Sequence, residues 1–203
     1  GVVGLGYVGL PFAVEKAKAG FRVIGIEQNT HRAALVNQGQ SYIQDVKPDD
    51  LRFVAEQELL TASTDFSRVP ELDVIVICVP TPLTRNLTPD LKYVEAAARS
   101  LVPHLRPGQL ISLESTTYPG TTEEIIQPIL ETSGLKVERE LFLVHSPERV
   151  DPGNQCYSTK NTAKVVGGAG PKSLDVGIVF YRQTIEKVVA LSCTKAAELT
   201  KVF

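Results

Sequence analysis

Three glycines near the start of the chain have a type and spacing that could serve chemistry. Gly4, Gly6 and Gly9 form a G-x-G-x-x-G pattern, and a helical stretch is predicted at residues 7–19. Gly4 would allow a sharp turn out of a strand, Gly6 would leave the main chain open, and Gly9 would allow helix and strand to pack closely. A pyrophosphate could then lie on the free N–H groups of the helix N-terminus, where the helix dipole favours negative charge. The pattern therefore predicts a dinucleotide site.

An acidic residue follows the next predicted strand, which covers residues 21–26. Glu27 comes 18 positions after Gly9, and a carboxylate there can accept both hydroxyls of an adenosine ribose. Its charge would repel a 2′-phosphate, which favours NAD over NADP. Arg32 is the counter-argument, because it could pair with that phosphate. We prefer to interpret Arg32 as a solvated helix residue or a lid over the adenine, so NAD is the predicted cofactor.

The elements that would position these residues alternate between strand and helix. Further strands are predicted at residues 60–62, 73–79, 109–113, 141–144, 163–166 and 187–190. Further helices are predicted at residues 28–38, 48–58, 91–102, 121–132, 172–183 and 194–203, and Thr121 with Glu124 fits a capping box. This alternation predicts an α/β fold, a Rossmann-like, doubly wound and mostly parallel sheet with helices on both faces. We expect residues 1–190 to form this domain and residues 191–203 to begin a central helix.

Three loops that follow predicted strands carry further polar residues. They are residues 80–82, 114–122 and 145–154, and they bring hydroxyls, a carboxylate and a guanidinium. Ligands of an open parallel sheet bind outside the carboxyl ends of its strands, so we expect these loops to converge with the glycine loop on one crevice. The alternative for each loop alone is ordinary turn chemistry, since Pro and Gly punctuate strand ends.

Composition limits the possible classes of function. The chain has 203 residues, 43% of them hydrophobic, and its formal net charge of −2 gives no general attraction to nucleic acid or an anionic membrane. It contains no run of about 18 apolar residues, so no membrane span is expected. An odd number of cysteines at unrelated spacings argues against a disulfide framework or a zinc site and suits a reducing cytoplasm: Cys78, Cys156 and Cys193. No metal site is expected, because the histidines share no ligand spacing: His31, His104 and His145.

Six motifs run from end to end of the chain: Gly4-Leu-Gly-Tyr-Val-Gly-Leu-Pro11, Cys78-Val-Pro-Thr-Pro82, Ser115-Thr116, Pro147-Glu148-Arg149, Val165-Val-Gly-Gly168 and Ala197-Glu-Leu-Thr-Lys201. Together they resemble the N-terminal NAD-binding domain of the UDP-glucose/GDP-mannose 6-dehydrogenase family. Stretches 114–122 and 146–154 are most similar to its UDP-N-acetylhexosamine (UDP-N-acetylglucosamine) 6-dehydrogenase branch. Glu27 departs from the family, which usually has Asp there, but its role should survive because the extra methylene only moves the carboxylate.

The resemblance implies NAD-dependent oxidation of a UDP-sugar. The sugar C6 hydroxyl would be oxidised twice, through a cysteine-bound thiohemiacetal and thioester, and hydrolysis would give the uronic acid. Glu148 would handle protons during hydrolysis, Thr116 would hold a catalytic water, and Lys201 would stabilise the oxyanion. The residues expected to bind the cofactor are Gly4, Gly6, Tyr7, Val8, Gly9, Glu27, Arg32, Val79, Pro80, Thr81, Ser115 and Thr116. Those expected to bind the substrate are Glu148, Arg149, Val150 and Lys201.

The resemblance also implies that the nucleophilic cysteine belongs to a C-terminal domain beyond Phe203. We therefore expect this chain alone to bind NAD without turning over a sugar, and the full-length protein to be a homodimer. Cys78 lies in an apolar run and fits a buried small hydrophobe, and Cys156 lacks an activating neighbour.

Simpler interpretations remain open for the three implied catalytic residues. Glu148 could pair with Arg149 or another surface cation, and Thr116 could be an ordinary strand-end hydroxyl. Lys201 lies three residues after Glu198, a spacing typical of a surface helix pair. Two other functions also remain open: a 3-hydroxyacid or 6-phosphogluconate type dehydrogenase, which would share the glycine loop, and a non-catalytic NAD-binding regulator.

Overall fold

One sheet of eight strands organises the computed structural model, which describes residues 1–85, 88–148 and 162–201. The strands are β1 (Val2–Val3), β2 (Val23–Ile26), β3 (Leu60–Ser63), β4 (Val74–Ile77), β5 (Leu110–Leu113), β6 (Phe142–His145), β7 (Lys164–Gly168) and β8 (Val188–Leu191). Their order across the sheet is β3-β2-β1-β4-β5-β6-β7-β8. The first six strands pair in parallel, β7 pairs antiparallel with β6, and β8 is parallel to β7. The predicted mostly parallel sheet is confirmed, with one reversal of direction between β6 and β7.

Helices cover both faces of the sheet. They are α1 (Gly9–Lys18), α2 (Thr30–Asn37), α3 (Pro48–Glu56), α4 (Lys92–Leu101), α5 (Gln127–Glu131), α6 (Pro171–Arg182) and α7 (Thr194–Leu199). One core joins α1, α3 and α6 to a sheet face that includes Val2 and Val76. The other core joins α4 and α5 to the opposite face, through the neighbouring residues Val3 and Ile77. Because side chains alternate along a strand, the central strands supply apolar residues to both cores. The doubly wound α/β fold is confirmed.

Most observed boundaries lie close to the predicted ones. The first helix begins at Gly9 rather than at residue 7, because residues 4–8 form the turn that leaves β1. Two short 3-10 helices are not predicted by the sequence pattern, namely Phe66–Glu71 and Val102–His104. None of the described helices is long and apolar enough to cross a membrane.

The helix predicted at residues 121–132 is not a single α-helix. Thr121–Ile126 forms a π-helix, and α5 continues directly from it. The predicted capping box of Thr121 and Glu124 is wrong, because the cap position is Gly120, with φ of 104° and no side-chain cap bond. Glu198 of α7 accepts the N–H groups of Gly120 and Thr122 instead. A carboxylate that is distant in sequence therefore caps the N-terminus of this helix.

Candidate functional site

The glycine loop between β1 and α1 leaves an opening beside its main chain. Gly4 has φ of 89°, and its N–H donates to the Ile26 carbonyl at 2.8 Å. A Cβ on Gly4 would lie 2.9 Å from the Cys78 carbonyl oxygen, and one on Gly9 would lie 1.9 Å from the Gly4 carbonyl oxygen. A Cβ on Gly6 would meet no atom within 4 Å. Packing therefore requires Gly4 and Gly9, whereas Gly6 leaves open space for a bound group.

Glu27 follows β2 and is held in a fixed orientation. Its carboxylate accepts the N–H of Leu5 at 2.9 Å and that of Asn29 at 3.0 Å, and the residue is 8% exposed. A carboxylate bonded in this way keeps lone pairs for a ribose hydroxyl. Arg32 is exposed, and its guanidinium carbon lies 5.4 Å from the centre of the Tyr42 ring. The acidic residue is therefore preorganised, while Arg32 lies at the surface above a tyrosine.

One crevice of about 690 Å³ lies between the glycine loop, the ends of β4 and β5, and the segment that follows β6. This is the convergence of loops that the sequence predicts. The predicted residues that line it are Gly4, Gly6, Tyr7, Val8, Glu27, Arg32, Val79, Pro80, Thr81, Ser115, Thr116, Glu148 and Lys201. Gly9 is buried beneath the loop, in line with its packing role. Arg149 and Val150 lie outside the described residues.

The geometry of the crevice fits a dinucleotide. The open space at Gly6 lies by the N-terminus of α1, whose first turn contains no acidic residue to oppose a phosphate. Glu27, which follows the neighbouring strand β2, offers acceptor oxygens to a ribose. Ser115 donates its hydroxyl to the Val79 carbonyl at 2.7 Å, which joins the segments after β4 and β5 in the crevice lining.

A buried network of polar side chains contacts Glu148. The Lys164 ammonium lies 3.0 Å from Glu148 Oε2 and 2.9 Å from Glu114 Oε2. The Tyr181 hydroxyl donates to Glu114 Oε1 at 2.6 Å, and the Ser112 hydroxyl lies 2.7 Å from that of Tyr181. All five side chains are buried. Glu148 therefore has a buried cationic partner, Lys164. The alternative partner Arg149 lies outside the described residues.

The sequence reasoning missed the role of three members of this network: Glu114, Lys164 and Tyr181. The available signal is a charged residue beside an apolar strand, since Lys and Glu are rarely buried without a partner. Glu114 directly follows β5 and Lys164 opens β7, so each stands at the end of a buried run. That signal indicates a need for partners but does not say which residues they are.

Charge and burial set the protonation of the side chains in this network. Burial alone would lower the pKa of Lys164, but the charges of Glu114 and Glu148 outweigh it, and the pKa is raised overall. Burial raises the pKa of Glu114, while Lys164 opposes that change. Burial also raises the pKa of Tyr181 well above its usual range, so the phenol remains a hydrogen-bond donor. Since Glu114 accepts from both Lys164 and Tyr181, its bonding is that of a carboxylate.

Lys201 meets Glu148 from the end of α7. Its ammonium donates to the main-chain carbonyl of Glu148, and Thr116 is exposed in the lining of the same crevice. The alternative surface pair of Lys201 with Glu198 is wrong. Glu198 is fully buried, and its carboxylate accepts the Gly120 N–H at 2.6 Å. The three implied catalytic residues therefore line the same crevice. Residues 149–161, which follow Glu148 in the sequence, lie outside the described residues.

Cys78 does not supply a reactive thiolate. Burial, followed by the charge of Glu114, raises the pKa of Cys78 well above its usual range. It therefore remains a thiol, in agreement with the buried-hydrophobe interpretation. Cys193 is half-buried, and Cys156 lies outside the described residues. Within the described ranges, no group of three or more His, Cys, Asp or Glu residues is placed to hold a metal ion.

Comparison with known proteins connects these features to one family. Residues 1–185 match the UDP-glucose/GDP-mannose dehydrogenase family, NAD binding domain. The chain is 36% identical to UDP-N-acetyl-D-glucosamine 6-dehydrogenase of Pseudomonas aeruginosa over 203 residues, which are 99% of this chain and 47% of that protein. It is 35% identical to NDP-N-acetyl-D-galactosaminuronic acid dehydrogenase of Ralstonia nicotianae, over 99% of this chain and 49% of that protein.

A solved structure gives the same result. The UDP-N-acetyl-mannosamine dehydrogenase from Staphylococcus aureus superposes with a TM-score of 0.91 at 31% identity, covering 98% of this chain and 48% of that chain. The chain spans about half the length of the curated relatives it matches.

Proposed function

The chain belongs to the UDP-glucose/GDP-mannose dehydrogenase family, whose NAD-binding domain it forms, and from this premise we propose that it serves an NAD-dependent nucleotide-sugar 6-dehydrogenase. The proposed substrate is a UDP-N-acetylhexosamine or UDP-glucose, and the names of the relatives favour the former. We further propose that residues 1–190 are the cofactor-binding part and that residues 191–203 lead towards a second part that completes the active site.

One observation carries this proposal. Glu148, Thr116 and Lys201 line the same crevice as the open position at Gly6. Binding of NAD alone requires none of these three side chains, so their convergence weighs against a non-catalytic NAD-binding regulator. A 3-hydroxyacid or 6-phosphogluconate type dehydrogenase would share the glycine loop but should lack a glutamate in the setting Pro147-Glu148-Arg149.

The proposed cofactor site would position NAD for oxidation of the sugar. NAD, when bound, supplies the hydride acceptor for both oxidation steps. The opening at Gly6 would admit the pyrophosphate, and the fixed carboxylate of Glu27 would hold the adenosine ribose. We propose that a cysteine outside this chain holds the sugar aldehyde and then the thioester.

Hydrolysis of that thioester is the step proposed for the three crevice residues. Thr116 would hold the attacking water through its exposed hydroxyl, and Glu148 would accept a proton from that water. Lys201 would stabilise the developing oxyanion, because its ammonium brings positive charge to the main chain of Glu148.

The test compares three proteins: the full product of the gene that encodes this chain, proposed to be longer, its Glu148→Gln variant, and the 203-residue chain alone. Each is incubated with NAD and with UDP-N-acetylglucosamine, UDP-N-acetylmannosamine or UDP-glucose, and NADH absorbance is followed. Glu148→Gln should lower turnover by roughly 100- to 10,000-fold, because a general acid–base group is lost. A covalent sugar–protein adduct should then accumulate and be visible by mass spectrometry. The chain alone should bind NAD and produce no NADH.

Glu56→Gln is the matched control, since Glu56 is exposed at the end of α3. That variant of the longer protein should turn over normally. Normal turnover by Glu148→Gln would make Glu148 structural. Steady NADH production by the chain alone would refute the two-part arrangement.

A further inference from the structure

Lys164 is a buried cation at the first position of β7. It is 3% exposed, and its ammonium lies within hydrogen-bond distance of Glu114 and Glu148. Removing three charged groups from water costs free energy that the ion pairs must offset, so a buried ion pair is weak evidence for a purely stabilising role. Its position beside a crevice residue therefore calls for a functional explanation.

The partners of Lys164 are themselves fixed. Glu114 uses one carboxylate oxygen for Lys164 and the other for the Tyr181 hydroxyl. The ring of Tyr181 lies 5.5 Å from the Lys164 ammonium, and its hydroxyl also meets Ser112 of β5. A buried network whose members are satisfied by one another is rigid. Lys164 therefore cannot move without breaking its contacts with Glu114, directly after β5, and with Tyr181 of α6.

The charges explain why Glu148 needs this support. Two carboxylates share one ammonium, so the set of Glu114, Glu148 and Lys164 carries a net negative charge when both carboxylates are ionised. Without Lys164 the two carboxylates would repel one another in a buried place, and like charges in such a site do not both remain ionised. The orientation of the Glu148 carboxylate and its ability to accept a proton thus depend on the same ammonium.

We propose that Lys164 is a positioning residue, which holds the Glu148 carboxylate ionised and aimed at the crevice, while Glu114 and Tyr181 hold Lys164. This inference rests on the proposed function, because it assigns Lys164 to the hydrolytic step in which Glu148 acts. Lys164 makes no contact with the substrate in this scheme and acts only through Glu148.

The test uses the longer gene product with a UDP-sugar that it oxidises. Lys164→Met removes the ammonium and keeps most of the side-chain volume. The kcat should fall by about 10- to 100-fold, as misplacement of a catalytic group does, and the covalent adduct should accumulate as in Glu148→Gln. The KM for the UDP-sugar and the Kd for NAD should stay within about twofold, because the binding contacts remain. Lys164→Arg keeps a cation and should restore most of the lost kcat.

A double variant separates this role from a structural one. Lys164→Met combined with Glu148→Gln should be no slower than Glu148→Gln alone, since both changes remove the same function. Tyr181→Phe provides a milder variant that removes one hydroxyl, and its smaller loss should likewise vanish in the Glu148→Gln background. Lys136→Met removes a surface ion pair with Glu131 and should leave kcat unchanged.

The outcomes distinguish two failures. An unchanged kcat in Lys164→Met, or losses that add in the double variant, would overturn the positioning role and leave the proposed function intact. Normal turnover by Glu148→Gln would make Glu148 structural and overturn this inference with it. The proposed function itself would be refuted if the wild-type protein produced no NADH with any of the UDP-sugars.

Discussion

At the residue scale, two glycines of the same loop have separable roles. A side chain at Gly6 would enter open space, whereas a Cβ at Gly9 would lie 1.9 Å from the Gly4 carbonyl oxygen. The proposed ligand constrains the first position, and the protein's own packing constrains the second.

We predict that Gly6→Val abolishes NAD binding without changing the urea midpoint of unfolding, because the side chain fills the pyrophosphate space and meets no protein atom near Cβ. Gly9→Ala is the matched comparison and should lower the free energy of unfolding by about 1–3 kcal/mol, as overpacking does. Calorimetric titration with NAD and NADP, together with urea unfolding, measures both effects. NADP binding more tightly than NAD would contradict the cofactor assignment, and NAD binding by Gly6→Val would contradict the placement of the pyrophosphate at Gly6.

Lys16 of α1 is a second buried lysine, and it lies outside the crevice lining. Its ammonium donates to the Phe180 carbonyl at 3.0 Å and lies 3.8 Å from the centre of the Phe180 ring. Burial lowers the pKa of Lys16 to about 8, against a smaller opposing effect of Glu114. Its usual pKa is 10.5, so folding and protonation of this group are linked.

This linkage predicts a pH dependence of stability. Below pH 8, Lys16 is protonated in both states, and the full cost of burying its charge is present. Between about pH 8 and pH 10.5 the folded state loses the proton first, so the free energy of unfolding rises with pH. Relative to Lys16→Met, the wild type should gain about 2–3 kcal/mol across this range, as measured by urea unfolding. Equal pH dependence in the two proteins would show that Lys16 does not titrate there.

At the element scale, side chains fasten α7 to the start of the π-helix. Glu198 accepts hydrogen bonds from the Gly120 N–H, the Thr122 N–H and the Thr122 hydroxyl. Two further pairs join the same elements: Thr194 with Glu123, and Lys195 with Glu124. Since Lys201 lies two residues beyond the end of α7, these contacts also help to fix the position from which its side chain contacts Glu148.

We predict that Glu198→Ala lowers the free energy of unfolding by about 2–3 kcal/mol, because it leaves buried N–H groups of Gly120 and Thr122 without their acceptor. Glu198→Gln keeps one acceptor oxygen and should fall between this variant and the wild type. Lys195→Ala serves as the control and should leave unfolding unchanged, since its ion pair is exposed. Urea unfolding compares the three, and a Glu198→Ala protein as stable as Lys195→Ala would contradict the capping role.

The same region illustrates what the sequence can and cannot predict. Helices and strands are recognised well because their hydrophobic periodicity is a local property. The capping box of Thr121 and Glu124 has the right local pattern, yet the N–H groups bind Glu198, which is 78 residues from Gly120. A local pattern identifies candidate partners but cannot exclude a better acceptor that the fold brings from elsewhere.

At the scale of the whole molecule, the direction of β7 decides which residues reach the crevice. In a parallel strand the first residue lies at the edge away from the ligand. Because β7 runs antiparallel to β6, its first residue, Lys164, lies instead at the edge where β5 and β6 end. The position of Glu148 after β6 is predictable from the sequence, whereas that of Lys164 is not, since the pattern of β7 does not contain its direction.

The reversal also divides the backbone pairing of the sheet. Two register pairs are described between β6 and β7, Val144 with Gly168 and His145 with Gly167. Each of the junctions β4–β5, β5–β6 and β7–β8 has four. The two junctions of β1 also have two pairs each, because that strand has only two residues, whereas β6 has four residues and β7 has five. In native-state hydrogen exchange, we expect the amides of β7 and β8 to open together at a lower free energy than those of β4 and β5. Equal protection of all four strands would contradict this division.

The side-chain network of Lys164, Glu114 and Tyr181 crosses the junction between β6 and β7. We therefore expect it to couple the two predicted units as well as to support the crevice. Weakening it should lower the free energy at which residues 164–191 open more than that of the glycine loop and its strands.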